Sequence, residues 1–224
     1  MFLLVTDTSG RNGTVALARA DELHRPEVIE VVPLAGGMFS AQLVPQIAAL
    51  LQNHGLSKSD IDAFIVVSGP GSFTGLRVGL AAIKALVEIL HKPIVSVSLL
   101  EMLATATEAQ GKVVAVLDGG RREVFFGAYK FADDSVQVLR EELLSQVDFL
   151  SAALGSTLVT SDAVLAASAR DAGLPVVTVE TPNAEMITRF GWKKLQAGET
   201  VSPEKLEANY MRRSDAEMFV KQSS

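Results

Sequence analysis

Short apolar runs and longer segments with helical spacing alternate along the chain. Three apolar runs predict an opening of three strands, at residues 2–7, 14–18 and 28–32. From residue 39 the apolar positions recur at helical intervals, at Phe39, Leu43, Ile47, Leu50 and Leu51. Ser40 is a candidate cap for this helix, and Gly55 is expected to end it. The first half continues with a strand at 63–67, a helix to about 90, a strand at 94–97 and a helix to about 107. This alternation predicts an α/β sheet.

The second half repeats the alternation more loosely. Its predicted strands are 112–117, 124–131 and 135–141 (the last two joined at Asp133-Asp134), 158–160 and 175–179, and its helices are 162–172 and 184–197. Each half therefore opens with an apolar strand that ends in an aspartate, Asp7 and Asp118. Actin-like and sugar-kinase folds hold nucleotide phosphates with two such aspartates, although aspartate at a strand end also serves turns locally. We expect two lobes, 1–108 and 109–224, with the last helix packing back on the first lobe.

Composition restricts the class of protein further. Hydrophobic residues make up 48% and charged residues 21% of the 224, which is a globular balance. The chain has no cysteine, which excludes disulfides and thiolate metal sites and fits a cytoplasmic location. No apolar run approaches the roughly 20 residues of a membrane span, and the start MFLLVTDTSG lacks the basic region of a signal peptide. The net charge of −6 argues against a free-standing RNA-binding protein, because phosphate contacts need a basic surface.

A glycine-rich segment, SGPGSFTGLR at residues 68–77, lies between a predicted strand and a predicted helix. Glycines and backbone amides in this position often bind phosphate. The segment nevertheless lacks both nucleotide-binding signatures. A Walker loop needs a lysine, and none follows before Lys84; a dinucleotide fingerprint needs glycine at position 74, which is threonine.

The helix after this segment has two distinct stripes. An apolar stripe is expected to face the sheet, at Leu76, Leu80, Ile83, Val87 and Leu90. The second stripe has almost no side chains, at Gly75, Gly79 and Ala82. Because glycine in a helix costs about 1 kcal/mol relative to alanine, this stripe indicates close packing of another backbone, from the same chain or from a partner. The preceding helix carries surplus apolar residues beside its core stripe, including Val44 and Ala48, and this surplus favours a protein partner.

The nonapeptide GPGSFTGLR at residues 69–77 resembles the signature of the TsaB (YeaZ) family, bacterial proteins of threonylcarbamoyladenosine biosynthesis. Other segments resemble family motifs in the same order: 6–9 (I-D-T-S), 39–45 (H-S-x-x-L-L-P), 97–101 (V-S-S-L-E), 118–125 (D-A-R-R-G-E-V-Y) and 210–213 (Y-L-R-R). Two positions of this chain depart from the family motifs. Phe39 replaces the histidine of its motif, and Gly119-Gly120 replace part of the Ala-Arg pair.

The resemblance implies an actin-like (ASKHA, ribonuclease H-like) α/β fold of two lobes without a complete active site. It implies an accessory subunit with no catalytic residue, no metal and no tightly bound cofactor, which docks through its N-terminal lobe to the larger paralogue TsaD and works with the ATPase TsaE. The complex would contact tRNA and hold ATP or ADP at an interface, and the isolated chain would form a homodimer. A weak nucleotide site is expected at Asp7, Thr8, Ser9 and Asp118. The expected partner interface is Leu43, Val44, Ala48, Ser72, Phe73, Thr74, Gly75, Arg77, Gly79 and Ala82.

Two other functions remain as alternatives. A glycoprotease-like metallopeptidase needs clustered histidines, and the three histidines, His24, His54 and His91, lie far apart in sequence. An actin-like small-molecule kinase or ATPase needs a phosphate loop from each lobe, and the second loop, at residues 118–120, is short. The arginine pairs Arg121-Arg122 and Arg212-Arg213 fit either solvated surface charge or contact with RNA phosphates or an acidic partner.

Overall fold

The computed structural model describes residues 1–21, 24–132 and 135–211 of the chain. The strands in these ranges are β1 Phe2–Asp7, β2 Gly13–Arg19, β3 Glu27–Leu34, β4 Ile61–Gly69, β5 Ile94–Ser98, β6 Gly111–Gly120, β7 Glu123–Ala132, β8 Ser135–Ser145, β9 Thr157–Thr160 and β10 Val176–Thr178. The α-helices are α1 Phe39–Asn53, α2 Phe73–Leu90, α3 Leu99–Ala104, α4 Asp148–Ala152, α5 Ala163–Asp171 and α6 Ala184–Gln196. Within the described ranges, no helix is both long enough and apolar enough to span a membrane.

The chain divides into two compact units, each built on a five-stranded sheet. Of the described residues, the first unit contains Met1–Ser98 and Asn183–Tyr210, and the second contains Leu99–Pro182 and Met211. The sequence-based boundary at residue 108 differs from this division for a packing reason. α3 lies against β6, β7 and β9 of the second sheet, whereas α6 lies against all five strands of the first.

The first sheet has the strand order β3-β2-β1-β4-β5. β1, β2 and β3 form an antiparallel meander, while β4 and β5 run parallel to β1. The inner strands β1 and β4 are almost entirely buried, which accounts for their nearly continuous apolar sequences. The edge strand β3 alternates exposed and half-buried positions, as expected for a strand with one solvated face.

α1 and α2 pack on one face of the first sheet and build the core of the unit. Their buried side chains, Leu43, Ile47, Leu80 and Ile83 among them, meet Leu4, Val15, Phe64 and Val66 of the strands. α6 covers the opposite face. A Cβ atom added at Gly191 would lie 2.5 Å from Ile65, whose side chain alternates with those of its neighbours along β4.

The two core helices, α1 and α2, differ in how their first turns are capped. α1 begins after Met38 without a side-chain cap, so the expectation that Ser40 caps it is wrong; Ser40 lies inside the first turn. α1 ends at Asn53, and Gly55 just beyond it has a φ of 67°. At the start of α2, Ser72 Oγ accepts a hydrogen bond from the amide of Gly75 at 3.3 Å, an ordinary serine cap.

The second sheet repeats the connectivity of the first. Its order is β10-β9-β6-β7-β8, in which β6, β7 and β8 are antiparallel neighbours and β9 and β10 run parallel to β6. The core contains Val114, Phe126, Phe149, Leu158 and Leu165, with α4 and α5 covering this face. The five-residue helix α4 had no counterpart among the predicted elements because it is too short to show a period. The predicted turn at Asp133-Asp134 lies outside the described residues.

Candidate functional site

The turn that follows β1 packs directly on the glycine-rich loop. The carbonyl oxygen of Ser9 accepts a hydrogen bond from the amide of Ser72, at 2.6 Å. A Cβ atom at Gly71 would overlap that same carbonyl oxygen. Thr8 and Ser9 are buried, at 2% and 5% exposed. Position 71 therefore has to be glycine for the loop to lie this close to the turn.

Gly75 and Gly79 of α2 face the same turn. A Cβ atom at Gly75 would overlap the carbonyl oxygen of Thr8, and one at Gly79 would overlap its Oγ1. Both glycines are buried within the first unit. The glycine stripe thus lets α2 lie against the backbone of its own chain, which corrects the expectation that Gly75 and Gly79 contact a partner. Leu43 was also expected at the interface, but it is a core residue with 1% of its surface exposed.

Phe39 fills the space beside these glycines. Its ring is 6% exposed, and it is the first residue of α1. A Cβ atom at Gly13 would lie 3.0 Å from Phe39 Cε1, and one at Gly75 would lie 3.1 Å from Cε2. The phenylalanine that stands where the related motif has histidine is therefore a packing residue between α1, β2 and α2.

Asp7 stabilises the turn at the end of β1. Its Oδ1 accepts hydrogen bonds from the amide of Ser9 at 2.8 Å and from the Ser9 hydroxyl at 2.6 Å. Burial raises the pKa of the Asp7 carboxyl above its ordinary 3.8, although the hydrogen bonds from Ser9 act in the opposite direction. Asp7 Oδ1 and the amide, hydroxyl and carbonyl groups of Ser9 thus have partners within the turn and the loop, and nucleotide binding there stays a prediction.

Asp118 belongs to the second unit and is exposed near the end of β6. Its Oδ1 accepts a hydrogen bond from the amide of Gly120 at 3.0 Å, which is the local turn role of an aspartate. In the following hairpin Arg121 and Arg122 have φ values of 55° and 63°, a conformation that arginine rarely adopts. The other arginine pair, Arg212-Arg213, lies outside the described residues.

The solvent side of α1 and α2 carries small, mostly uncharged residues. The two helices lie side by side, and α1 contains no charged residue at all. We call this surface the outer face and define it by the exposed residues Ala41, Val44, Ala48, Arg77, Ala81 and Ala85. Val44 alone is 53% exposed. A solvated helix surface normally carries charged or strongly polar residues, so the outer face differs in composition from a typical solvated helix surface.

The expected interface residues divide between the outer face and its margin. Val44, Ala48 and Arg77 lie on the outer face itself. At the margin, Ser72 and Thr74 are exposed, and Phe73 and Ala82 are half-buried.

A cluster of Arg77, Phe73 and Tyr210 joins α2 to the C-terminal part of the first unit. The guanidinium carbon of Arg77 lies 3.8 Å from the centroid of the Phe73 ring and 5.5 Å from that of Tyr210. Arg77 Nε donates a hydrogen bond to the Tyr210 hydroxyl at 2.9 Å, and the two ring centroids are 4.8 Å apart. Phe73 and Arg77 belong to one sequence motif and Tyr210 to another, and their contact could not be predicted because 133 positions separate Arg77 from Tyr210.

Metal-binding geometry is absent from the described part of the chain. No group of three or more histidines, aspartates or glutamates there could hold a metal ion. His54 Nε2 lies 2.7 Å from Glu30, and His24 is paired with Asp21. These histidines make surface contacts, and nothing in the described ranges supports the metallopeptidase alternative.

The fold and these features define a class of protein before any relative is considered. Each unit places three antiparallel strands and then two parallel strands in the order 3-2-1-4-5, with helices between the parallel strands. Two successive copies of this ribonuclease H-like unit characterise the actin-like class, and the predicted fold class is confirmed. A family model described as TsaD, tRNA N6-adenosine threonylcarbamoyltransferase, matches residues 31–186, more than half of the chain.

Individual relatives agree with this match. The tRNA threonylcarbamoyladenosine biosynthesis protein TsaB of Bacillus subtilis is 30% identical over 152 residues, which are 67% of this chain and 65% of that protein. The Haemophilus influenzae TsaB is 34% identical over 148 residues, 65% of this chain and 57% of that protein. The structure of YeaZ from Pseudomonas aeruginosa has a TM-score of 0.67 at 23% identity and covers 93% of this chain and 100% of that one. The chain belongs to the family of the TsaD model, within its TsaB (YeaZ) branch, and its match spans less than two thirds of the length of these curated relatives.

Alanine substitutions at Gly75 and Gly79 test the packing of α2 on Thr8. On a solvated helix face alanine would be favoured over glycine by about 1 kcal/mol. Here we expect each substitution to lower the free energy of unfolding by about 1–3 kcal/mol, because the added Cβ overpacks the contact. Thr8→Ala should rescue Gly79→Ala, whose Cβ meets the Thr8 side chain, but not Gly75→Ala, whose Cβ meets the Thr8 carbonyl. Denaturant titrations of the single and double variants measure this; a more stable Gly75→Ala, or equal rescue of both variants, would contradict the packing.

The raised pKa of Asp7 predicts a pH dependence of stability. The folded chain keeps the Asp7 proton at pH values where the unfolded chain has lost it, so the contribution to stability is complete below 3.8 and is lost as the pH rises through the raised pKa. Asp7→Asn keeps an oxygen to accept the hydrogen bonds from Ser9 but cannot ionise. We therefore expect this variant to be more stable than the wild type at neutral pH and equal to it at acidic pH. Thermal unfolding across this range checks the sign, and parallel profiles for the two proteins would refute it.

Proposed function

We propose that this chain is the accessory, non-catalytic subunit of the machinery that forms threonylcarbamoyladenosine in tRNA, and that it docks through the outer face to a larger TsaD-type paralogue. The observation that carries the proposal is the absence of charge from the solvent side of α1, a 15-residue helix. The two TsaB relatives are named for the same biosynthesis.

Small residues on the outer face favour a helical partner. Ala41, Ala48, Ala81 and Ala85 leave the two helix backbones close to the surface. Helices approach closely where side chains are small, and close approach multiplies dispersion contacts that are each only about 0.1–0.2 kcal/mol. Burial of Val44 by the partner would add the hydrophobic contribution of a large side chain that is half exposed in the free chain.

A paralogue of the same fold is the occupant that the family match favours. The segment matched by the TsaD model, residues 31–186, includes α1 and α2, so we expect a TsaD-type protein to carry the same pair of helices. Two chains of one fold can associate through equivalent surfaces about a two-fold or pseudo-two-fold axis. The same reasoning leads us to expect a homodimer when the paralogue is missing.

The proposed assembly also includes tRNA, a nucleotide and an ATPase. The net charge of this chain bears on how the tRNA is bound, and the packing of the turn after β1 bears on where the nucleotide is bound. With a net charge of −6 the chain is a poor binder of tRNA by itself, so the paralogue makes most contacts with the RNA. A TsaE-type ATPase is the third component. Because Thr8 and Ser9 are buried and engaged within their own unit, ATP or ADP is held in the complex rather than tightly by the isolated chain.

A glutamate placed on the outer face tests the docking. Val44→Glu puts a carboxylate in the middle of the contact, where an unpaired buried charge costs several kcal/mol, so we expect the dissociation constant for the TsaD-type paralogue to rise by about tenfold or more. tRNA modification by the reconstituted components should fall in parallel. Val164→Glu is the matched control, since Val164 is a 71% exposed helix residue of the second unit.

Both variants should unfold at nearly the temperature of the wild type, because both positions are exposed. Isothermal titration calorimetry then measures the affinities. Undiminished affinity of Val44→Glu for the paralogue, or full tRNA modification by the paralogue without this chain, would rule out the proposed function.

A further inference from the structure

Arg77 is the charged residue among those that define the outer face. α1 has no charged residue, and the other charged residues of α2, Lys84 and Glu88, lie two and three turns beyond Arg77. Arg77 is exposed and lies one turn before Ala81 on the outer face. Any partner that covers this face will therefore remove the positive charge of Arg77 from water.

The guanidinium group of Arg77 is held in place before any partner arrives. Phe73 stacks against it at 3.8 Å, and Tyr210 fixes its Nε through a hydrogen bond of 2.9 Å. No described residue forms a hydrogen bond or ion pair with the two terminal Nη atoms. The planar group thus presents its remaining N–H donors in a fixed orientation, which suits the two oxygens of a carboxylate.

We propose that Arg77 recognises one aspartate or glutamate of the docking partner and forms a bidentate ion pair with it. This inference rests on the proposed docking of a TsaD-type paralogue and specifies the chemistry of one contact. A buried arginine without a partner carries a large desolvation cost, whereas a carboxylate on the opposite surface removes most of it. The pair would also set the register of the two helix pairs, since the rest of the outer face offers no directional contact.

A protein carboxylate fits the surroundings better than an RNA phosphate does. Contacts with a nucleic-acid backbone use several cations, because each neutralised phosphate contributes separately to affinity. On α1 and α2 the next cation is Lys84, two turns beyond Arg77 along α2. A fixed guanidinium with no second cation within one turn of it matches a single acidic side chain.

Four variants test the inference by calorimetric titration with the TsaD-type paralogue at low and high salt. Arg77→Gln should weaken binding by about tenfold or more, and Arg77→Lys should give an intermediate loss, because lysine keeps the charge but not the fork. Tyr210→Phe keeps the ring and removes the hydrogen bond to Nε, so a loss of about two- to fivefold is expected from the less constrained arginine. Arg189→Gln is the matched control: Arg189 is an exposed arginine on α6, and its substitution should leave the affinity within twofold of the wild type.

The partner's carboxylate is found by charge reversal. Arg77→Glu should abolish binding, and arginine substitutions of the acidic residues on the equivalent helices of the paralogue should restore it at one position. If the wild type does not bind the paralogue at all, the proposed function and this inference both fail. If the wild type binds and Arg77→Gln binds equally well, docking stands and the carboxylate pair is overturned. Unchanged affinity for the paralogue together with weaker tRNA binding by the complex would also overturn it, in favour of a phosphate contact.

Discussion

The first unit depends on the approach of the β1 turn to the glycine side of α2. The carbonyl oxygens of Thr8 and Ser9 lie where Cβ atoms of Gly75 and Gly71 would be. The carbonyl oxygen of Ser9 also accepts a hydrogen bond from the amide of Ser72, just before α2. A backbone-to-backbone contact of this kind tolerates no side chain. It fixes the distance between β1 and α2, and Phe39 then closes the space that is left beside them.

This constraint also determines which side of α2 faces outward. A helix with one side against its own turn and another against the sheet presents the remaining side to solvent, and here that side carries Arg77, Ala81 and Ala85. The neighbouring α1 contributes an exposed surface without charge. The glycine signature therefore shapes the proposed docking surface indirectly, by orienting the helix that presents it.

The spacing of apolar residues reflects which positions are buried, so the fold class, both core stripes and the order of strands and helices, apart from the short helix α4, could be predicted from the sequence. The sequence could not show what the glycine stripe faces, because glycine at position 79 allows close packing of a backbone from the same chain as well as of one from a partner. The contact between Arg77 and Tyr210 and the packing of α3 on the second sheet depend on distant parts of the chain, and local patterns carry no signal for them; the return of the last helix to the first lobe was expected. Phe39 could be recognised as a departure from its motif, but its role appears only when Gly13 and Gly75 are seen beside it.

The central claim is that α2 is closed on its Thr8 side and open on its Ala81 side until a paralogue covers it. Since the chain has no cysteine, single cysteines report on each side by maleimide labelling without background. We predict that Ala81→Cys reacts rapidly in the free chain and is protected when the TsaD-type paralogue is added, whereas Thr8→Cys resists labelling in both states. Labelling of Ala81→Cys at the same rate with and without the bound paralogue, or equally fast labelling of Thr8→Cys, would contradict this account.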